Sequence, residues 1–106
     1  MPSTKKLASS RRATLPLDFS YTKAFLKDWD RLSKAGRLDM FRLKEVMLIL
    51  IANDGPLGPE WQDHSLRGDW INHRECHIGG DFLLIYRFDG ATLQFDRTGT
   101  HAELFE

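Results

Sequence analysis

Hydrophobic residues in the first half of the chain recur at the spacing of amphipathic helices. A first helix is predicted between Ser20, the expected N-cap, and Gly36, the expected stop, with an apolar face of Tyr21, Phe25, Trp29 and Leu32. A second is predicted to end near residues 53–56, with an apolar stripe of Met40, Leu43, Met47 and Leu50 that Val46 and Ile51 widen. The short connection between them predicts an antiparallel helix pair with both stripes in the core.

The hydrophobic period changes to two in the second half of the chain. Residues 55–70 contain three glycines and two prolines, which predicts a loop. The alternation that follows predicts three strands, at 70–78, 81–88 and 91–98. Asp89-Gly90 lies between the last two strands and is a strong signal for a two-residue hairpin loop.

A two-residue loop fixes which residues of this hairpin face each other. The expected pairs are Phe88 with Ala91, Tyr86 with Leu93, Leu84 with Phe95, Phe82 with Arg97, and Asp81 with Thr98. One face of the hairpin is then apolar as far as its open end, where an arginine appears. That open end is where we expect a functional site.

Polar residues scattered over the sequence are expected to gather there. His77 precedes the Gly79-Gly80-Asp81 turn into the same hairpin, and His101 follows Gly99 at its other end. His64, in the preceding loop, could fold over them. Two histidines, a carboxylate and the Arg97 guanidinium would then share one end of the sheet.

Such a set suits cleavage of an RNA phosphodiester by internal transfer. A base takes the proton of the 2′-hydroxyl, a cation stabilises the charged transition state, and an acid protonates the leaving 5′-oxygen. Histidine can act as either acid or base near neutral pH, arginine can grip two phosphate oxygens, and Phe105 can stack on an unpaired base. This mechanism needs no metal ion and no cofactor.

Plainer interpretations of the same residues stay open. Arg97 could pair with Asp81 or Asp96, and Phe105 could tuck the tail into the core. The two histidines, Asp81 and the acidic loop residues could instead hold a divalent ion, although no HExxH or similar spacing is present. His73 is interpreted as structural or surface.

Charge is divided unevenly along the chain. Residues 1–51 carry eleven Lys/Arg against five Asp/Glu, and residues 52–106 carry four against ten, so the zero net charge conceals halves of +6 and −6. A basic half suits RNA, an acidic protein partner or a solvated helix face. Residues 1–16 hold four basic residues and no acidic ones, which predicts a flexible basic arm before a domain at 17–106.

Length and cysteine content narrow the class of protein. A chain of 106 residues predicts one domain, and its single cysteine, Cys76, excludes an internal disulfide. The longest apolar run, residues 46–52, is too short to span a bilayer, and no apolar stretch follows the basic N-terminus as in a secretory signal. A cytoplasmic location is expected.

The C-terminal half resembles a known toxin family. The stretch QDHSLRGDWINHRECHIGGDFLLIYRFDGATLQFDRTGTHAELF, residues 62–105, is similar to the signature of the YafQ branch of the RelE/ParE toxins, and RTGTHAELF is its most specific part. The helices match mainly in residue type. The resemblance implies an α+β fold with two N-terminal helices packed on a small antiparallel β-sheet. It also implies ribosome-dependent mRNA cleavage that a DinJ- or RelB-like antitoxin neutralises.

The resemblance also implies roles for individual residues. His101 would be the general acid, Asp81 or His77 the general base, and Arg97 would stabilise the transition state. His64 would position phosphate, and Phe105 would hold the base. Phe82 stands where the branch usually has tryptophan, and it is expected to contact substrate.

Two rival functions remain. A ParE-like toxin would bind and inhibit DNA gyrase without cutting RNA, and it would need no proton-transfer groups. A metal-dependent nuclease would lose activity in a chelator. Gly80 and Ser65 replace common prolines of the branch, which puts substrate preference in question more than activity.

Overall fold

A computed structural model describes residues 16–105 of the 106-residue chain. Apart from Pro16, the predicted basic arm lies outside the described residues. The described elements are β1 (Asp18–Tyr21), α1 (Lys23–Ala35), α2 (Met40–Ala52), β2 (His64–Ser65), β3 (Arg74–Gly79), β4 (Phe82–Phe88), β5 (Thr92–Thr100) and α3 (His101–Phe105), with 3₁₀ turns at Pro59–Trp61 and Gly68–Trp70. None of the helices within residues 16–105 is long and apolar enough to cross a membrane.

The two predicted helices are present, but the first begins later than expected. Thr22, not Ser20, is the N-cap of α1, because its hydroxyl accepts a hydrogen bond from the Phe25 amide while the residues before it pair with a strand. Gly36 ends α1 in the left-handed conformation, as predicted. Helix α2 spans Met40–Ala52, in agreement with the predicted stripe.

The sheet has five strands in the order β1-β5-β4-β3-β2. Strand β1 pairs with β5 in parallel, and the other three pairings are antiparallel. The predicted α+β class is confirmed, with a parallel edge strand added to the antiparallel sheet. The strand predicted at 70–78 starts only at Arg74, because a 3₁₀ turn occupies Gly68–Trp70, and the short strand β2 lies inside the predicted loop.

The predicted hairpin register is wrong. The loop is longer than the predicted two residues, because the Asp89 carboxylate accepts hydrogen bonds from the amides of Ala91 and Thr92, and four residues, 89–92, separate the last facing pair. Phe88 therefore faces Leu93. Further along, Tyr86 faces Phe95 but Ile85 faces Arg97, so Asp96 is the extra residue of a β-bulge.

The sheet separates two hydrophobic clusters. The larger, helix-side core packs α1 and α2 against one face and includes Phe25, Leu43, Phe82, Leu84, Tyr86 and Phe95. The smaller cluster lies on the opposite face, which we call the open face, and consists of Leu83, Ile85 and Leu104 with Leu66, Trp70 and Phe105 packed against it. Successive residues of β4 alternate between the two clusters, as a strand requires.

Candidate active site

The open face carries two transverse rows of residues. In the first row, His64 pairs with Glu75, Glu75 with Ile85, and Ile85 with Arg97, so that four strands each contribute one residue. In the second row, one step closer to the α3 end, His77 pairs with Leu83 and Leu83 with Gly99. Neighbouring strands lie about 5 Å apart, which puts the backbones of Glu75 and Arg97 about 10 Å from each other.

The β-bulge at Asp96 determines which face Arg97 lies on. Phe95 lies in the helix-side core, and strict alternation would send Arg97 to the same side. The extra residue reverses the alternation and pairs Arg97 with Ile85 of the open-face cluster. The arginine thus reaches the face that bears the histidines, through a feature that the predicted register lacked.

His64 and His77 share a buried carboxylate. The Nε2 atoms of His64 and His77 lie 3.2 Å and 3.4 Å from Oε2 of Glu75, whose residue is only 6% exposed. The two ring centres are 5.9 Å apart. Sequence reasoning missed Glu75, although it lies two residues from His77 on a predicted strand and therefore had to share its face.

Asp28 of α1 holds the Arg97 guanidinium in place. Its Nε donates to Oδ2 of Asp28 at 2.7 Å and its Nη2 to Oδ1 at 3.2 Å, and the Thr98 amide donates to the same Oδ2 at 3.1 Å. Among the described residues Arg97 pairs with Asp28, and not with Asp81 or Asp96, the alternatives that the sequence left open. The hydrogen bond that Arg97 donates to Asp28 is the main cause that raises the pKa of Arg97 above its ordinary value. Asp28 was also missed; its signal was a carboxylate on the apolar face of α1, between Phe25 and Leu32.

His101 and Asp81 meet at the end of the sheet, as predicted. The His101 amide donates to Oδ1 of Asp81 at 3.2 Å. Thr100 and Glu103 form a reciprocal capping box at the start of α3: the Thr100 amide donates to Glu103 Oε1 at 2.8 Å, and the Glu103 amide donates to the Thr100 hydroxyl at 3.3 Å. Arg31 of α1 pairs with the same Glu103, which ties α3 to α1.

The two predicted substrate-binding aromatics lie in different places. Phe105 is half-buried at the open-face cluster, with its ring centre 4.9 Å from that of His101 and 6.4 Å from that of Trp70. Phe82 is 2% exposed and belongs to the helix-side core. Its predicted contact with substrate therefore does not fit the structure.

One group of side chains within the described residues has the geometry of a metal site. His64, Glu75 and His77 each offer one donor atom, and these atoms all lie within 4.8 Å of one another. Two imidazoles and a carboxylate suit a zinc or copper ion. Asp81 belongs to the neighbouring group around His101, not to this set.

Comparisons with known proteins agree with this architecture. A family model described as the bacterial toxin of type II toxin–antitoxin system, YafQ, matches residues 17–106. The mRNA interferase toxin YafQ of Escherichia coli K12 is 41% identical over 88 residues, which cover 83% of this chain and 95% of that protein.

Two solved structures are similar in fold as well as in sequence. The E. coli DinJ–YafQ complex matches with a TM-score of 0.79 and 40% identity, over 85% of this chain and 99% of that one. A metal-bound toxin from Helicobacter pylori matches with a TM-score of 0.73 and 38% identity, over 84% of this chain and 99% of that one. The chain described here belongs to the YafQ family of type II toxin–antitoxin toxins.

Proposed function

We propose that this mRNA interferase toxin cleaves ribosome-bound mRNA by acid–base transfer to the 2′-hydroxyl within the open-face site. The observation that carries the proposal is the convergence of three imidazole- or guanidinium-bearing strands on one face: His64 and His77 around Glu75, and Arg97 in the same row. His101 lies at the adjoining sheet end. These groups can remove a proton, supply a proton and hold a phosphate without any cofactor.

Arg97 is suited to hold the scissile phosphate. A guanidinium has five N–H donors, and Asp28 accepts one from Nε and one from Nη2. Three donors remain for phosphate oxygens. Because Asp28 fixes the guanidinium plane before substrate arrives, those donors are in place when negative charge develops on the phosphoryl oxygens.

Proton transfer is divided between two groups of residues. We assign His77 as the general base, since Glu75 lies within reach of its ring, whereas Asp81 accepts the His101 amide. The 2′-oxygen attacks phosphorus as its proton passes to the base. The bond to the 5′-oxygen breaks, and His101 protonates that oxygen, which leaves a 2′,3′-cyclic phosphate and a 5′-hydroxyl. His64, on the far side of Glu75, helps to position the phosphate.

Phe105 can hold a base beside this centre. Its ring centre lies 4.9 Å from that of His101 and 6.4 Å from that of Trp70, so a base stacked on Phe105 would lie close to the proposed acid. Stacking on such rings is tolerant of base identity. A gyrase inhibitor of the ParE type would need no cluster of imidazoles, and the cluster therefore favours RNA cleavage.

An antitoxin and a cellular compartment follow from family membership. A DinJ-like antitoxin is the expected partner, because the structurally similar YafQ is found in a complex with DinJ. We propose that both proteins act in the cytoplasm, where the ribosome and mRNA are.

A second candidate is metal-dependent or metal-inhibited chemistry. The His64–Glu75–His77 group has suitable donors, and a similar toxin from H. pylori binds metal. Cleavage in EDTA distinguishes the two: unchanged rates support the metal-free mechanism, and loss that Zn²⁺ restores supports a metal-dependent one. An increase in rate on chelation would show that metal occupies and blocks the proton-transfer groups.

Mapping of cleavage on ribosomes tests the main proposal. Ribosomes programmed with a defined mRNA are incubated with wild type and with His101→Ala, and RNA ends are located by primer extension. We expect a single set of cuts that His101→Ala abolishes. Arg87→Lys is the control, because Arg87 is an exposed residue of β4 outside both rows, and it should cut as the wild type does. Equal cutting by His101→Ala would overturn the assignment of the acid.

A further inference from the structure

Behind the active site, on the helix side of the sheet, Arg74, Asp63, Ser65 and Tyr86 form a hydrogen-bonded network. Arg74 pairs with Tyr86, whose side chain belongs to the helix-side core, whereas the next residue, Glu75, pairs with Ile85 of the open face. The same alternation applies on the short edge strand β2, where Ser65 pairs with Arg74 and His64 with Glu75. Substrate on the open face would therefore not meet the Arg74 guanidinium.

Arg74 grips both neighbours of His64. Its Nε and Nη2 donate to Oδ2 of Asp63 at 3.0 Å and 2.8 Å, and its Nη1 donates to the Ser65 hydroxyl at 3.0 Å. The buried Tyr86 hydroxyl donates to the other oxygen of the Asp63 carboxylate. One planar guanidinium thus fixes the residue before and the residue after His64, and we call this arrangement the Arg74 bracket.

His64 needs such support because its own strand is short. Strand β2 has two residues, and it is flanked by loop and 3₁₀ segments from Asn53 to His73. His64 is largely exposed, yet its ring is oriented: Nδ1 lies 2.9 Å from the Gln62 carbonyl oxygen, so Nε2 faces Glu75. Two ladder positions alone would leave the segment close to fraying.

We infer that Arg74, through its bridge from Asp63 to Ser65, is a positioning residue that holds His64 against Glu75 and His77 in the active site. This inference rests on the role of His64 in the proposed function. Lysine cannot replace the arginine, because a single ammonium lacks the planar fork that reaches two partners at once. The Asp63 hydrogen bond raises the pKa of Arg74, and burial raises that of the Tyr86 hydroxyl, so neither of these two groups changes its protonation state in the neutral range.

A double-mutant cycle separates positioning from general stability. Single-turnover cleavage on programmed ribosomes is measured for Arg74→Lys, His64→Ala, their combination, and the control Arg87→Lys, which changes an exposed arginine on β4. Arg74→Lys should slow cleavage about tenfold or more, since small displacements of a catalytic group are costly. The double variant should be no slower than His64→Ala alone, and Arg87→Lys should match the wild type.

The outcomes distinguish the inference from the function on which it rests. A wild-type rate for Arg74→Lys, or an effect that multiplies with that of His64→Ala, would overturn the positioning role while His64 stays catalytic. A wild-type rate for His64→Ala would show that His64 has no role in cleavage. The Arg74 bracket would then have no catalytic residue to position. Should Arg74→Lys fail to fold, Ser65→Ala at an exposed position removes one arm of the bracket, and about a fivefold loss is expected for one hydrogen bond.

NMR chemical shifts of the His64 ring provide a second test, because a purely structural role of Arg74 would leave them unchanged. The ¹⁵N shifts of the His64 ring report the hydrogen bond between Nε2 and Glu75. They should change in Arg74→Lys and stay unchanged in Arg87→Lys, with the His101 shifts constant in both. Unaltered His64 shifts in a folded Arg74→Lys protein would contradict the inference.

Discussion

Asp28 in the first helix and Arg97 in the last strand form a bidentate ion pair across 69 residues of sequence, with Nε and Oδ2 2.7 Å apart. Strand β1 covers the edge of β5 only as far as Phe95. Beyond that point the Asp28 carboxylate takes the place of a strand, because it also accepts the Thr98 amide. A single buried carboxylate therefore completes the sheet edge and orients the proposed phosphate ligand.

Replacing Asp28 tests this double role. Asp28→Asn should lower the free energy of unfolding by about 3 kcal/mol, because Arg97 loses the charge that offsets its partial burial. It should also slow mRNA cleavage, since the guanidinium is no longer fixed. Urea denaturation and single-turnover cleavage measure the two effects.

The same helix provides the control for that experiment. Asp30 pairs with Lys34 in an exposed i,i+4 bridge. Asp30→Asn should change stability by less than about 0.5 kcal/mol and leave cleavage unaltered. Equal effects of the two substitutions would show that Asp28 acts only as one more surface charge.

The capping box at α3 predicts a pH dependence. The pKa of Glu103 is lowered from its ordinary value of 4.5, first by the Thr100 amide and then by Arg31. A carboxylate whose pKa is lowered by folding stabilises the folded state at pH values above its pKa in the unfolded state. That stabilisation is lost as the pH falls through its pKa in the folded state. Glu103→Gln should therefore be less stable than the wild type at pH 7.

The difference between the two proteins should shrink below pH 4.5 and vanish once Glu103 is protonated in the folded state. Denaturant unfolding at a series of pH values measures it. Glu45→Gln, at an exposed site on α2, should show no such convergence. A stability difference for Glu103→Gln that is constant from pH 7 downward would show that the lost contact is not electrostatic.

Substitutions of Phe105 distinguish a role in packing from a role in base stacking. Phe105→Leu keeps an apolar group against the open-face cluster, so the midpoint of thermal unfolding should change little. Loss of the ring should slow cleavage roughly five- to 100-fold, the range expected for one stacked base. Phe105→Tyr retains a ring and should remain active. A fully active Phe105→Leu would mean that the tail serves only the core.

Local patterns in the sequence predicted the elements that depend on local physics. The stripe of α2 and the Gly36 stop needed no tertiary information, and the hairpin brought His101 to the sheet end of Asp81 although its register was wrong. The register failed because two non-standard features combined: the Asp89 turn is two residues longer than predicted, and the Asp96 bulge adds one more. Neither is visible in an alternating pattern.

Other predictions failed because they depend on long-range contacts. Residues 18–21 extend the helical pattern of α1 in sequence, but β5 offers them a parallel edge, and pairing overrides the pattern. Phe82 was expected opposite Arg97, but the bulge moves Arg97 to the open face while Phe82 stays in the helix-side core. Glu75 and Asp28 were recoverable, because each places a carboxylate among residues already assigned to one face.

The N-terminal arm gives a final prediction. The described core begins at Leu17, which is buried and whose amide donates to the Ile51 carbonyl at 2.8 Å. Deleting residues 1–16 should therefore leave thermal stability and antitoxin binding unchanged. Affinity for ribosomes should fall, and its dependence on salt should weaken, because four basic residues are lost. A variant with Lys5, Lys6, Arg11 and Arg12 replaced by glutamine should behave as the deletion does. A truncated protein that cannot fold would show instead that the arm is part of the domain.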